Sequence, residues 1–191
     1  MQTTIELPPP VEMTMPFSQV LGRRRSRREF SDQPLDLPLL STLLWACAGQ
    51  NGADGRRTTV PSALDSREVE CFVFDQKGVW SYCAETHALK LLTEGDHRSA
   101  TTAGQDFVSL APVTLIFAVN QAKTGRISNG RTGAICQSVD VGVMVQNALL
   151  ACSAMGLAAV PRAWFEPQDV LGAAGLKSYD PQMAVTVGFP Q

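Results

Sequence analysis

The residues best suited to binding chemistry lie in one short stretch, Arg23–Phe30, which reads Arg-Arg-Arg-Ser-Arg-Arg-Glu-Phe. It contains five of the twelve arginines of the chain within six positions. Guanidinium groups are planar, forked donors that match the oxygens of a phosphate, and a serine hydroxyl among them adds a compact donor. The stretch therefore predicts a binding site for a phosphate ester.

Two other interpretations of these arginines require no small ligand. They could form a solvated run of charge, or a patch for nucleic acid or nuclear import, which is typical of a basic protein rich in lysine. This chain has a formal net charge of −2 and a pI of about 5.7, and the stretch contains no lysine. The charge balance disfavours nucleic acid, and a phosphate pocket is the favoured prediction.

The sequence before the arginines predicts a short helix that leads into them. Apolar residues at Phe17, Val20 and Leu21 have helical spacing, with Thr14 as the predicted N-cap and Pro16 in the first turn. The arginines would then follow the end of that helix.

Beyond the helix, alternation at Arg24, Ser26, Arg28 and Phe30 indicates an extended segment that projects every second side chain in one direction. The motif Arg24-x-Ser26-x-Arg28-x-Phe30 resembles the first flavin-binding signature of the nitroreductase family of FMN-dependent oxidoreductases. The resemblance implies that Arg24 and Ser26, together with Arg25, bind the FMN phosphate. It also implies that Arg28 lies at the N1/O2 edge of the flavin, where a cation stabilises the anionic reduced ring.

A second segment, Pro61-Ser62-Ala63-Leu64, combines a proline with small residues and offers a stiff surface on which a flat ring can rest. An ordinary loop could have the same composition. In its position after the arginines, the segment resembles the second flavin contact of the family, which reaches the ring of a cofactor bound mainly by the other subunit. Asp65 follows where the family often has asparagine. A carboxylate cannot donate a hydrogen bond, so we assign Asp65 no contact.

A third segment, Pro161-Arg162-Ala163, comes at the end of a predicted strand. The corresponding segment of the family lies beside the flavin ring and offers a backbone N–H to N5, a role that alignment on Pro161 gives to Ala163. Some members have a glutamate near this point, where this chain has Arg162-Ala163, so no catalytic side chain is predicted. The ending Val187-Gly188-Phe189-Pro190 resembles the terminal signature of the family, after which longer relatives continue with basic residues that also bind the phosphate.

The predicted elements indicate an α+β fold with a mainly antiparallel central sheet flanked by helices. The family resemblance implies the nitroreductase-like fold and a homodimer with flavin sites at its interface. The predicted helices are Leu37–Ala48, Thr101–Leu110, Gly133–Met155 and Glu166–Ala174, and the predicted strands are Val69–Phe74, Val79–Cys83, Val113–Val119, Leu157–Ala163 and Met183–Phe189.

Length and composition favour one domain. With 191 residues, of which 45% are hydrophobic, the chain can bury a single sizeable core, which we place at residues 15–191. Residues 1–14 contain three consecutive prolines and are predicted as an extended arm. Residues 120–132 are predicted as solvent-exposed chain, with a lid over the substrate site as the alternative.

Several classes of protein are disfavoured. Five dispersed cysteines and two histidines provide no metal-ligand spacing, so no metal site is predicted. The predicted helix Gly133–Met155 contains polar residues such as Gln137 and Asp140, which favours a core or dimer-interface helix over a membrane span. The N-terminus shows no charged-then-apolar leader, so a cytoplasmic location is expected.

The resemblance implies an FMN-dependent oxidoreductase in which NAD(P)H reduces a small electron-poor acceptor, such as a nitroaromatic or a quinone, by hydride transfer through flavin N5. Two alternatives keep the flavin. One is a flavin-binding or flavin-sequestering protein without reductase activity. The other is a partner-dependent azoline-type flavin oxidase, because Leu44-Trp45-Ala46 and the Arg-Arg-Ser run are similar to that branch of the family.

Overall fold

A computed structural model describes residues 3–52, 55, 57–127 and 130–191 of the chain. One large antiparallel sheet is the centre of the fold, and a separate pair of two-residue strands, β2 (Gln50–Asn51) and β3 (Arg57–Thr58), lies apart from it. The strands of the large sheet are β1 (Thr4–Glu6), β4 (Val69–Phe74), β5 (Gly78–Cys83), β6 (Ala88–Glu94), β7 (Val113–Asn120), β8 (Ala158–Arg162) and β9 (Tyr179–Gly188).

Across the large sheet the strand order is β1-β6-β5-β4-β7-β9-β8, and each paired neighbour is antiparallel. The helices are α1 (Phe17–Arg23), α2 (Leu37–Ala48), α3 (Asp106–Leu110), α4 (Arg131–Ala154) and α5 (Pro167–Ala174). The predicted α+β fold with a mainly antiparallel sheet flanked by helices is confirmed.

The two faces of the sheet are covered by different helices. Alternation along β4 directs Cys71 and Val73 into the core beneath α2 and α4, and it directs Phe72 and Phe74 into the core beneath α5. Each fully buried apolar side chain contributes about 1.5–3 kcal/mol relative to exposure. The sheet and α4 therefore form a rigid frame on which the candidate site is placed.

Helix α2 shows how local sequence fixes an element. Asp36 is its N-cap and accepts a hydrogen bond from the Leu39 N–H at 2.9 Å, and Pro38 occupies the first turn. Gly49 follows the last residue as the C-cap. The predicted bounds, Leu37 to Ala48, are confirmed.

Three predicted details are wrong. Helix α1 has Pro16 and not Thr14 as its N-cap, because the residue before a proline is kept out of the helical region. The predicted helix Thr101–Leu110 is a short 3₁₀ turn, Arg98–Thr101, followed by α3, since the chain between them passes through a φ of +45° at Ala103. Residues 84–99, for which no helix or strand was predicted, contain the strand β6.

The N-terminal segment is extended, as expected for an arm, and joins the sheet of its own chain. Strand β1 pairs with β6, and Leu7 beyond it is buried. Met1 and Gln2 lie outside the described residues. The division between an arm at 1–14 and a domain at 15–191 stays a prediction.

Helix α4 passes beneath much of the sheet. Among the described residues, α4 is the one helix that is long and apolar enough to cross a membrane, judged by length and composition alone. Its packing against α2, β7, β8 and β9 is that of a core helix, a class of helix that passes the same test. The prediction of a core or dimer-interface helix rather than a membrane span is therefore consistent with the structure.

The segment predicted as exposed chain or a lid is tied to the sheet. Residues Gln121–Arg126 form a 3₁₀ turn. The Nζ atom of Lys123 lies 2.8 Å from Oε1 of Glu70 on β4. The side chain of Arg126, and the whole of residues 128 and 129, lie outside the described part of the chain.

Candidate functional site

The arginine stretch runs along the outer edge of strand β8. Ser26 forms a parallel bridge with Ala159, and the Arg27 N–H donates to the Ala159 carbonyl at 2.9 Å. Phe30 is buried, and the following residue, Ser31, donates its N–H to the Phe189 carbonyl at 2.9 Å. The segment after α1 is thus extended and is anchored at both ends.

Four of the five arginines surround one cavity of about 170 Å³ at the C-terminal end of α4. These are Arg23, Arg24, Arg25 and Arg27. Ser26 and Arg28, which were predicted to converge with Arg24, are exposed and lie outside its lining. The offset arises because Arg24 still caps α1, donating its N–H to the Val20 carbonyl, so the extended alternation begins only after it.

The charge on this cavity is unbalanced. Within the described residues, none of the five arginine side chains from Arg23 to Arg28 forms an ion pair with a carboxylate. The C-terminus of α4 supplies a partial negative charge of about half an elementary charge, which is far too little to offset them. A multiply charged anion is the chemical species that this arrangement favours.

The segment Pro61–Leu64 lies away from the arginine cavity. Pro61 and Ser62 line a second cavity of about 330 Å³ between the sheet and the middle of α4. The Ala63 N–H donates to Asp140 Oδ2 of α4 at 2.7 Å, and Leu64 is 69% exposed. The apolar side chain of Leu64 is therefore exposed, while the hydrogen bond to Asp140 holds the backbone of the segment in place.

Backbone strain accumulates in this turn. Leu64 and Asp65 both have a φ of 53°, and Arg67 has a φ of 49°, in the left-handed region that non-glycine residues rarely adopt. Asp65 accepts a hydrogen bond from Arg67 Nε at 2.7 Å, so this carboxylate already has a partner. Strained turns of this kind persist only where their surroundings hold them, and they cluster at functional sites.

The first two predicted segments do not meet within one chain. Ala63 contacts α4 at Asp140, whereas the arginine cavity contacts α4 at Ser153. These two positions are about 20 Å apart along the helix at a rise of 1.5 Å per residue. The linings of the two cavities share no residue among those described.

The third segment has one side chain that is committed to structure. Arg162 is 5% exposed, and its guanidinium donates to Thr186 Oγ1 at 3.0 Å and to the Thr101 carbonyl at 2.8 Å. Burial lowers the pKa of Arg162 to about 10. Its guanidinium is therefore occupied inside the protein, and only its backbone is placed to contact a ligand. Pro161 is half-buried on β8, and Ala163 is exposed.

Two buried carboxyl groups near the second segment escaped sequence analysis. Glu68 is fully buried at the start of β4, and its Oε2 accepts hydrogen bonds from Ser62 and Ser66. Asp140 faces it from α4, and burial, reinforced by Glu68, raises the pKa of Asp140. The sequence carries no signal for this contact, because Glu68 and Glu70 look alike beside the strand, and only the packing of β4 on α4 distinguishes them.

Glu70 is the contrasting case on the same strand. It accepts hydrogen bonds from Asn120 and Tyr179 and pairs with Lys123. Burial acts to raise the pKa of Glu70, but these partners outweigh it and hold that pKa below its ordinary value. Glu70 is therefore an ionised structural group that fastens the turn at Gln121–Arg126.

The model of the nitroreductase family matches residues 21–189 of the chain. The chain belongs to the nitroreductase family. The nitroreductase-like protein MJ1384 of Methanocaldococcus jannaschii is 31% identical over 197 residues, an alignment that covers 98% of each chain.

Solved structures agree with this membership of the nitroreductase family. A nitroreductase-like protein from Ralstonia eutropha is 34% identical and superimposes with a TM-score of 0.90, covering 98% of this chain and 90% of its own. A chain of the E. coli microcin synthetase McbBCD complex shares the fold, with a TM-score of 0.80 at 18% identity over 88% of this chain and 70% of its own. The predicted family and its fold are confirmed, and general oxidoreductase chemistry follows from the family.

Proposed function

We propose that the chain is a cytoplasmic, FMN-dependent oxidoreductase that uses NAD(P)H to reduce a small electron-poor acceptor such as a nitroaromatic or a quinone. The observation that carries the proposal is the cavity lined by Arg23, Arg24, Arg25 and Arg27, whose positive charge is not matched by any ion pair within the described residues. These residues fit the phosphate of FMN in charge and in donor geometry.

The chemistry of the reaction would come from the cofactor. FMN, when bound, supplies two-electron transfer through N5 between a nicotinamide and an acceptor. The chain would bind the phosphate, orient the ring and stabilise its charge. Arg28, outside the phosphate cavity and exposed, is available for the predicted role at the N1/O2 edge of the ring.

Strand geometry supports Ala163 as the donor to N5. Backbone groups of an edge strand alternate between facing the neighbouring strand and facing away from it. Ala159 of β8 faces away from β9, since its carbonyl accepts the Arg27 N–H. The same alternation, continued past Pro161, directs the Ala163 N–H toward the side on which the arginine stretch lies.

The separation of the two segments within one chain supports a homodimer. We propose that Pro61, Ser62, Ala63 and Leu64 of one subunit contact the flavin that the arginines of the other subunit hold. Helix α4 provides a surface for the pairing, because Ile135 and Val139 are 52% and 55% exposed beside a shallow groove of about 410 Å³.

A partner-dependent azoline-type flavin oxidase is the second candidate. This chain shares its fold with a chain of the microcin synthetase complex, and at 18% identity the likeness concerns the fold alone. A flavin-sequestering protein is the third, and it differs from the first in lacking a productive nicotinamide site.

Absorbance spectroscopy tests these proposals. Protein that shows flavin bands as purified, or after FMN is added and free ligand removed, supports the cofactor assignment, whereas protein that stays colourless refutes it. Anaerobic addition of NADH or NADPH is expected to bleach the bands of a reductase. A flavoprotein that does not bleach would instead be the sequestering protein or the partner-dependent oxidase.

A further inference from the structure

The carboxyl group of Glu68 is incompletely satisfied. Its side chain is fully buried, Oε2 accepts hydrogen bonds from Ser62 and Ser66, and Oε1 has no hydrogen-bond partner among the described residues. A buried polar atom without a partner is rare in folded proteins because it has lost its water without compensation. The orphaned oxygen therefore requires a hydrogen-bond donor.

Asp140 is the group able to share that proton. It is 6% exposed, and its Oδ2 accepts the N–H of Ala63 at 2.7 Å, the residue next to the Ser62 that donates to Glu68. Two ionised carboxylates cannot face each other in a buried site without strong repulsion, whereas a carboxylic acid beside a carboxylate forms a hydrogen bond. One proton between them satisfies the orphaned oxygen and removes one negative charge.

We infer that Glu68 and Asp140 hold one shared proton, and that this proton positions the strained turn from Ser62 to Asp65. The pair supports the turn from both sides, through Ser62 and Ser66 on Glu68 and through the Ala63 N–H on Asp140. The part of the inference that concerns ligand contact rests on the proposed function. In that role, Glu68 and Asp140 are positioning residues for the segment that contacts the partner's flavin.

The charged groups around Glu68 and Asp140 are bonded to other residues or exposed to solvent. Lys123 is paired with Glu70, and Arg67 bonds to Asp65. Glu85 and Lys90 are exposed to solvent, where screening weakens their influence. Cys71 and Tyr82 also line this cavity, and burial raises the pKa of each, so both are uncharged at neutral pH.

Amide substitutions test the shared proton directly. In Asp140→Asn the amide oxygen can still accept the Ala63 N–H while the NH₂ group donates to Glu68, so the variant reproduces the protonated state permanently. Glu68→Gln does the same from the other side. Asp140→Ala removes the contact altogether, and Asp65→Asn is the matched control, because this carboxylate of the same turn is exposed.

The first measurement is the thermal midpoint of the flavin-free protein from about pH 4, near the ordinary pKa of an aspartate, to about pH 8. The pKa of Asp140 is raised in the fold, so the folded state holds a proton that the unfolded state has released, and stability is lost as pH rises through that pKa. Wild type and Asp65→Asn are expected to show this loss. Asp140→Asn and Glu68→Gln are expected to show a flatter profile, and an unchanged profile in both amide variants would overturn the inference.

The second measurement is the FMN affinity across the same pH range. Above the raised pKa of Asp140, affinity in the wild type is expected to fall by up to about tenfold per pH unit, since one proton is then taken up on binding. Asp140→Asn should bind with little pH dependence, and Asp140→Ala should bind weakly throughout. Equal pH dependence in wild type and Asp140→Asn would refute the positioning role.

The two measurements separate the inference from the proposed function. A pH-dependent midpoint that the amide variants abolish, in a protein that fails to bind FMN, would retain the shared proton and refute the flavin assignment. A protein that binds flavin, but whose stability and affinity do not change with pH, would refute the shared proton and retain the flavin assignment. The amide variants preserve the buried hydrogen bonds, so they remain decisive if Asp140→Ala does not fold.

Discussion

Removal of one cavity arginine should weaken FMN binding in a way that depends on the phosphate. Arg24 is the best position for this test, because it is half-buried, lines the cavity and is held by its own N–H bond to the Val20 carbonyl. A hydrogen bond to a charged group contributes about 1.5–3 kcal/mol. Arg24→Ala should therefore cost about 2 kcal/mol of binding free energy, which is about a thirtyfold rise in Kd.

Riboflavin provides the discriminating comparison, since it has the same ring and no phosphate. Titration followed by flavin fluorescence should show the full loss for FMN with Arg24→Ala and almost none for riboflavin. Arg28→Ala is the matched control, because Arg28 belongs to the same stretch and lies outside the cavity. Its effect, assigned to the ring edge, should be similar for both ligands.

Ionic strength provides a second check on the same variant. The contribution of a partly exposed charge falls as salt screens it, so the difference between wild type and Arg24→Ala should shrink toward about 1 M salt. The reasoning would be refuted if Arg24→Ala weakened FMN and riboflavin equally, or if it left FMN affinity unchanged while Arg28→Ala abolished it.

Three further predictions concern stability and assembly. Arg162→Met should lower the free energy of unfolding by about 3 kcal/mol in urea titrations, because the Thr101 carbonyl and Thr186 lose charged hydrogen-bond donors inside the protein; an unchanged value would show that Arg162 is not buried as described. Glu70→Gln should flatten the acid side of the stability profile, since a carboxyl with a lowered pKa contributes stability that is lost as pH falls through that pKa; an unaltered acid limb would contradict this. Val139→Lys should shift the sedimentation coefficient from dimer to monomer by placing a charge on the exposed apolar surface of α4, and a dimer that persists would place the interface elsewhere.

Elements with complete local signals were predictable from sequence. Helix α2 has its cap residue, an early proline and a closing glycine, and the hairpin of β4 and β5 has apolar strands around a glycine-bearing turn. Strand β6 lacked such a signal, because it lies near the sheet edge beneath β1 and carries lysine and glutamate among its leucines. The predicted helix from Thr101 failed because a positive φ at Ala103 is not encoded by residue type.

The candidate site was predictable in its segments and not in its internal geometry. The arginine stretch was identified by composition, but which residues face the cavity depends on where α1 ends: Arg23 and Arg27 line it, whereas Ser26, predicted at the phosphate, lies outside its lining. The contact of Glu68 with Asp140 depends on how a strand packs on a helix far away in sequence. Periodicity carries no information about such long-range contacts.

The position of the arginine stretch on β8 has a consequence for solubility during synthesis. Without this segment, β8 would be the exposed border of the sheet, and exposed strands recruit strands from other molecules into aggregates. Mutual repulsion among five neighbouring cations opposes the docking of this cover, and a bound anion would reduce that repulsion. If that anion is FMN, as proposed, cells short of flavin should accumulate this protein in inclusion bodies, and riboflavin added to the culture should restore the soluble yield.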